Sequence, residues 1–160
     1  MNLIKDWPAI RAHFNKSIRS SLHVSIASVG TDNKPTVTPV GSLFLNGDQT
    51  GFYFEIFVSK LPLHEKQNKN ICVLAVNSNK WVWLKALFKL KFKSNPAIKL
   101  YGQLGNRRPA TDIEISRLER RMKATKGLKG HNYLWGNMAI VREIKFIEAE
   151  GANLGKMAVQ

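Results

Sequence analysis

Ser59 and Lys60 are the two residues of this 160-residue chain whose types and position point most directly to a binding site. They follow an aromatic run, Gly51-Phe52-Tyr53-Phe54-Glu55-Ile56-Phe57, and precede Pro62-Leu63-His64-Glu65-Lys66-Gln67-Asn68, a short helical pattern with proline in its first turn. A hydroxyl, an ammonium group and the free amides of a helix start can together hold one phosphate. Ser-Lys pairs are common, so the position carries this reading rather than the pair itself. No catalytic triad, paired-carboxylate site or Gly-rich nucleotide loop is legible. The histidines (His13, His23, His64, His131) lack ligand spacing, so no metal is expected. Cys72, the single cysteine, lies in the apolar run Ile71–Val76 and reads as a buried, inert thiol. One cysteine cannot close an internal disulfide, which suits a reducing, cytoplasmic compartment.

The elements that must position these residues alternate between two periods. Trp7, Ile10 and Phe14 recur at helical spacing, with Asp6 available as a cap. Leu22–Ala27 alternates as a strand, and Gly30-Thr31-Asp32-Asn33-Lys34-Pro35 supplies a turn. A second strand is predicted over 36–45, a third over 51–57, and others over 71–76, 97–104 and 138–147. Pro39 interrupts the second strand. Proline has no N–H for a ladder, so an edge, a bulge or a local gap in pairing is expected there, and a barrel corner explains it equally well. Thr111-Asp112-Ile113-Glu114 is a capping box that opens a helix bearing Arg117, Arg120, Arg121, Lys123 and Lys126. Six short strands with helices between them suggest one small β-barrel domain over residues 1–160.

The net charge of +14 is concentrated. Between Lys85 and Lys129 there are thirteen Lys/Arg against Asp112, Glu114 and Glu119, or +10. Such a field attracts anions without choosing among them. No secretory signal and no apolar run long enough to span a membrane is apparent.

The order of these pieces resembles the pyridoxamine 5′-phosphate oxidase-like family, the FMN-binding split barrels. The likeness runs from Leu22 to Ala75, through Thr36-Val37-Thr38-Pro39-Val40, the aromatic strand and Ser59-Lys60. It continues more loosely through Tyr101-Gly102-Gln103, the helix from Thr111, Trp135 and the last strand. The resemblance implies a six-stranded split barrel, a homodimer and FMN in the seam between subunits. It implies that Val37, Thr38, Pro39 and Val40 flank the flavin ring and that Ser59 and Lys60 grip the phosphate, with Lys66 assisting. Trp135 can stack on the ring from the partner chain or sit in the core. Other members of such families hold a deazaflavin, haem or nothing. Glu55 departs from the pattern, where family members often carry Thr or Ser: a carboxylate facing a phosphate repels it, so Glu55 must point away or the site is degraded.

An insert at about 80–96, Trp81-Val82-Trp83-Leu84-Lys85-Ala86-Leu87-Phe88-Lys89-Leu90-Lys91-Phe92-Lys93, reads equally as helix or strand. It can pack against the core or a second copy, cover the flavin as a lid, or lie on a membrane surface. The leading functional expectation is thus a flavin-dependent oxidoreductase with a small-molecule substrate. The alternative is a polyanion or anionic-membrane module using the basic 85–129 region, although no nucleic-acid-binding motif is present.

Overall fold

The computed structural model describes residues 1–157, the side chain of Asn132 excepted. Helix α1 (Trp7–Ser21) is followed by strands β1 (Val24–Val29), β2 (Pro35–Val40), β3 (Leu43–Leu45) and β4 (Thr50–Phe54). Helix α2 (Lys60–Glu65) leads into β5 (Asn70–Val76), and α3 (Lys80–Lys89) into β6 (Ala97–Pro109). Helices α4 (Asp112–Met122) and α5 (Lys129–Trp135) then precede β7 (Ile140–Gly151).

All seven strands join one antiparallel sheet in the order β2-β1-β5-β6-β7-β4-β3. The count is seven rather than six because residues 36–45 form two strands, which turn a corner at Gly41-Ser42. These two strands are the opposite edges of the sheet. Laid flat, edges six spacings apart would be about 29 Å from each other. Three Cα steps from Val40 to Leu43 reach at most about 11 Å. The sheet must therefore roll up until its edges nearly meet, which makes it a split barrel. Gly41 stands at the corner because a Cβ there would lie 2.9 Å from the Leu22 carbonyl oxygen.

The concave face and α1 enclose the main core, where Trp7, Ile10, Phe14 and Ile18 of the helix meet Ile26, Val73, Leu100, Ile144 and Phe146 of the sheet. Asp6 does not cap α1 with its side chain; its carboxylate accepts from the Asn2 amide instead. His13 is buried against β5, its Nε2 3.0 Å from the Ala75 carbonyl oxygen. A carbonyl only accepts, so Nε2 carries the hydrogen, and burial holds this imidazole below its ordinary pKa.

β4 is buried on both faces: Tyr53 enters the main core, while Phe52 and Phe54 point to the opposite side of the sheet. Those two, with Phe44, Leu118, Met138 and Val141, form a second core beneath α4. The capping box forms as expected, with Thr111 and Glu114 each accepting the other's backbone N–H. The ambiguous insert is helical: Asn79 caps α3 by accepting from the Trp81 amide, and Leu90 ends it in a left-handed turn.

Candidate functional site

β2 is a free edge of the sheet. Its register with β1 is unbroken, from Val24 opposite Val40 to Val29 opposite Pro35. The expected gap in pairing is absent on that side, and Pro39 is tolerated because an edge strand needs no second ladder. The unpaired backbone groups of β2 lie along its other side. Val37, 65% exposed, and Pro39 project outward, Thr38 is half-buried, and Val40 turns into the core.

α2 is moored to the start of this strand. Ser28 Oγ lies 2.9 Å from His64 Nδ1 and 3.2 Å from Thr36 Oγ1, so one hydroxyl links the helix to both strands of the β1–β2 hairpin. Leu61 anchors the same helix in the main core. At Gly30 a Cβ would come within 2.8 Å of His64 Nε2, so the close docking needs glycine there. Ser59 precedes α2 and its hydroxyl makes no capping bond. Lys60 and Lys66 are exposed. Among the described residues no carboxylate lies within ion-pair distance of either lysine. Six residues make too short a helix for a strong dipole, so any hold on an anion would rest on these side chains and nearby amides.

The structure thus groups Ser59, Lys60 and Lys66 with the Thr36 end of β2. Val40 is four residues on, about 13 Å along the strand. Trp135 lies beyond that far end: its Cη2 would be 3.6 Å from a Cβ placed at Gly41. The indole is half-buried and packs on the second core. It also lines a cleft of about 870 Å³ between α4 and residues 131–139, with Arg120, Lys123, Lys126 and His131, but none of residues 37–40, 59, 60 or 66 reaches that cleft.

Glu55 points inward. Arg142 donates to both of its oxygens, at 2.8 Å from Nε and 3.1 Å from Nη2, while Arg107 Nε and the Tyr53 hydroxyl each donate at 3.1 Å. Arg142 also pairs with Glu65 of α2 at 3.2 Å. The negative charge is thus met by two guanidinium groups, Arg142 and Arg107. Burial, followed by the charge of Glu55, pushes the Tyr53 phenol well above its usual range, so Tyr53 stays protonated and donates. His64, Ser28 and Arg142 went unrecognised in the sequence because their partners lie 36 to 87 residues away.

Two further expectations change. Cys72 is half-buried on the outer face of β5 rather than in the core, and partial burial pushes its thiol pKa up. Arg117 and Arg121 are not free members of the basic 85–129 field. Arg121 donates to the carbonyls of Gly41 and Leu43 and sits 3.5 Å above the Phe44 ring; Arg117 donates to Leu45 and Asn46. Burial, aided by the Arg117 charge, lowers the Arg121 pKa to about 10. Among the described residues no three His, Cys, Asp or Glu side chains gather as a metal site, and no helix is long and apolar enough to cross a membrane.

No family model and no curated protein matches this sequence. Solved structures do match. An FMN-binding protein from Syntrophomonas wolfei superposes with a TM-score of 0.59 at 15% identity, covering 94% of each chain. HutZ, the haem storage protein of Vibrio cholerae, gives 0.55 at 10% identity over 90% of this chain and 92% of its own. A pyridoxinephosphate oxidase family protein from Clostridium acetobutylicum, related to a general stress protein of B. subtilis, gives 0.51 at 16% identity, covering 91% and 87%. A rolled sheet whose edges meet at a two-residue corner, superposing on these proteins over nearly its whole length, gives this chain the fold of the pyridoxamine 5′-phosphate oxidase-like, FMN-binding split barrels.

Proposed function

We propose that the chain binds FMN along β2 as a homodimer and serves as a flavin-dependent oxidoreductase. One observation carries this reading. A free strand edge with outward Val37 and Pro39 is tied, through Thr36, Ser28 and His64, to a segment bearing an uncommitted Ser59 hydroxyl and two unpaired lysines. Phosphate chemistry sits at one end of β2, with a polar edge and apolar side chains along the rest. A ligand with a phosphate at one end and a planar ring at the other has the shape this demands. Ser59, Lys60 and Lys66 would hold the phosphate, residues 37–40 would flank the ring, and Trp135 lies beside the Val40 end. Pairing of Glu55 with Arg142 and Arg107 offsets its charge, which supports an intact phosphate end. When bound, the flavin supplies two-electron transfer, and the protein's part is to hold and shield it. The FMN-binding match is consistent with this choice and the haem storage match supplies the competitor.

The absorption spectrum of the purified protein, followed by FMN titration, tests the proposal. A flavin spectrum or saturable quenching of FMN fluorescence is expected; a Soret band would give the site to haem, and a deazaflavin spectrum to that relative. Lys60→Ala removes one charge-assisted bond, worth about 1.5–3 kcal/mol. It should weaken FMN binding by roughly 10- to 100-fold. Unchanged affinity overturns the phosphate assignment.

A further inference from the structure

α3 shows its apolar residues to solvent. Only Ala86 on the helix is fully buried, with Val82 and Trp83 half-buried. Trp83 anchors the segment by donating from Nε1 to the Asn77 carbonyl at 2.7 Å and packing edge-on against buried Phe92. The opposite side is different. Trp81, Leu84 and Phe88 recur at i, i+3 and i+7, which places them on one face of a 3.6-residue helix. Trp81 is 70% exposed, Phe88 82% and Leu90, just past the helix, 72%; Leu84 and Leu87 are exposed as well. Isolated exposed apolar residues need no explanation, whereas five of them on one ten-residue helix and its cap do.

The charges around this stripe are of one sign. Lys85 and Lys89, at i and i+4, line one flank, Lys80 opens the helix, and Lys91 and Lys93 follow it. No Asp or Glu occurs between residues 66 and 111. Lys16 and Arg19 of α1 line a shallow cleft beside Asn79 and Val82, which extends the positive field on the lysine flank. Helix α4 loses two arginines to backbone carbonyls, but none of the α3 lysines has an ion-pair partner among the described residues.

We propose that α3 lies flat on an anionic lipid surface, with Trp81, Leu84, Phe88 and Leu90 in the acyl boundary and the lysines among the headgroups. Charge selects this occupant over a second copy, because two α3 faces in contact would bring ten lysines together with no acid to offset them. α3 does not cover Lys60 of its own chain: α2 precedes β5 at Asn70 and α3 follows it at Val76, opposite ends of a strand about 20 Å long. Tryptophan and lysine are the residue types that settle at the headgroup boundary, and a ten-residue helix can lie there but not span. This inference is independent of the flavin proposal.

The test is sedimentation of the full chain with phosphatidylcholine vesicles, with and without phosphatidylglycerol, at low and high salt. Binding only to the anionic vesicles is expected, weakening as salt rises, with a blue shift of tryptophan emission. Phe88→Ser and Trp81→Ser, at exposed positions, should each reduce binding at least tenfold. Lys85→Glu/Lys89→Glu should abolish it at low salt. No binding at either salt, equal binding to neutral vesicles, or a dimer that dissociates on Phe88→Ser would each overturn the proposal, the last by assigning α3 to a second copy.

Discussion

Arg142 lies on the same side of β7 as Ile144 and Phe146, inside the barrel. A buried guanidinium there must have carboxylate and carbonyl acceptors, and Glu55, Glu65 and the Gly105 carbonyl provide them. The Glu55 hydrogen bonds, the largest cause, raise the Arg142 pKa further, so the charge persists. Removing one partner of such a pair leaves a buried charge. Arg142→Ala should lower stability by about 3–5 kcal/mol in urea unfolding, and adding Glu55→Gln should recover part of that loss. Full stability in the single variant would show that Glu55 relaxes to solvent. The irregular alternation over 138–147 marks this arginine in retrospect: it occupies an apolar position. Its acid was not legible, because 87 residues separate Arg142 from Glu55.

Strands β6 and β7 slip past one another at Tyr101/Gly102, where the ladder shifts register. The strand predicted over 97–104 runs on to Pro109, and Gly102 permits the crossing within it. A Cβ on Gly102 would lie 2.6 Å from the Lys145 carbonyl oxygen and 3.1 Å from Phe146 Cδ1. Gly102→Ala must therefore push two central strands apart. We expect a loss of about 1–3 kcal/mol, seen as a lower thermal midpoint, with Gly47→Ala, where the added methyl meets nothing, as the neutral control. An unshifted midpoint would mean that the bulge absorbs the methyl. Signals of backbone chemistry were readable at this scale: the capping box, the α1 spacing and the hairpin turn are local. The insert was not, since its two periods coincide; the Asn79 cap and the anchoring of Trp83 on Asn77 and Phe92 accompany the helix.

Across the molecule, α1 and Leu61 of α2 close the concave side of the rolled sheet and α4 covers the outer side of β3, β4 and β7. The outer face of β1, β2 and β5 has no such cover. Ser25, Ala27, Val37, Cys72 and Leu74 line a depression of about 200 Å³ there, with Lys99 at its rim. A half-apolar sheet face beside the proposed flavin strand is where a second copy would complete the site. Sedimentation equilibrium should give the mass of two chains, and Leu74→Asp should weaken association at least tenfold while α3 variants leave it unchanged. A single-chain mass for the unaltered protein would refute the dimer.

Strand periods, the proline on β2, the capping box and the order of pieces around Ser59-Lys60 were determined by the sequence alone, since each depends on residues within a turn or two of one another. Tertiary structure decided the rest. Two residues at Gly41-Ser42 join opposite edges of the sheet and force it to roll, Glu55 finds its arginines, and His64 ties α2 to β2. Those contacts join distant segments, and a one-dimensional pattern carries no measure of how far apart its parts will lie.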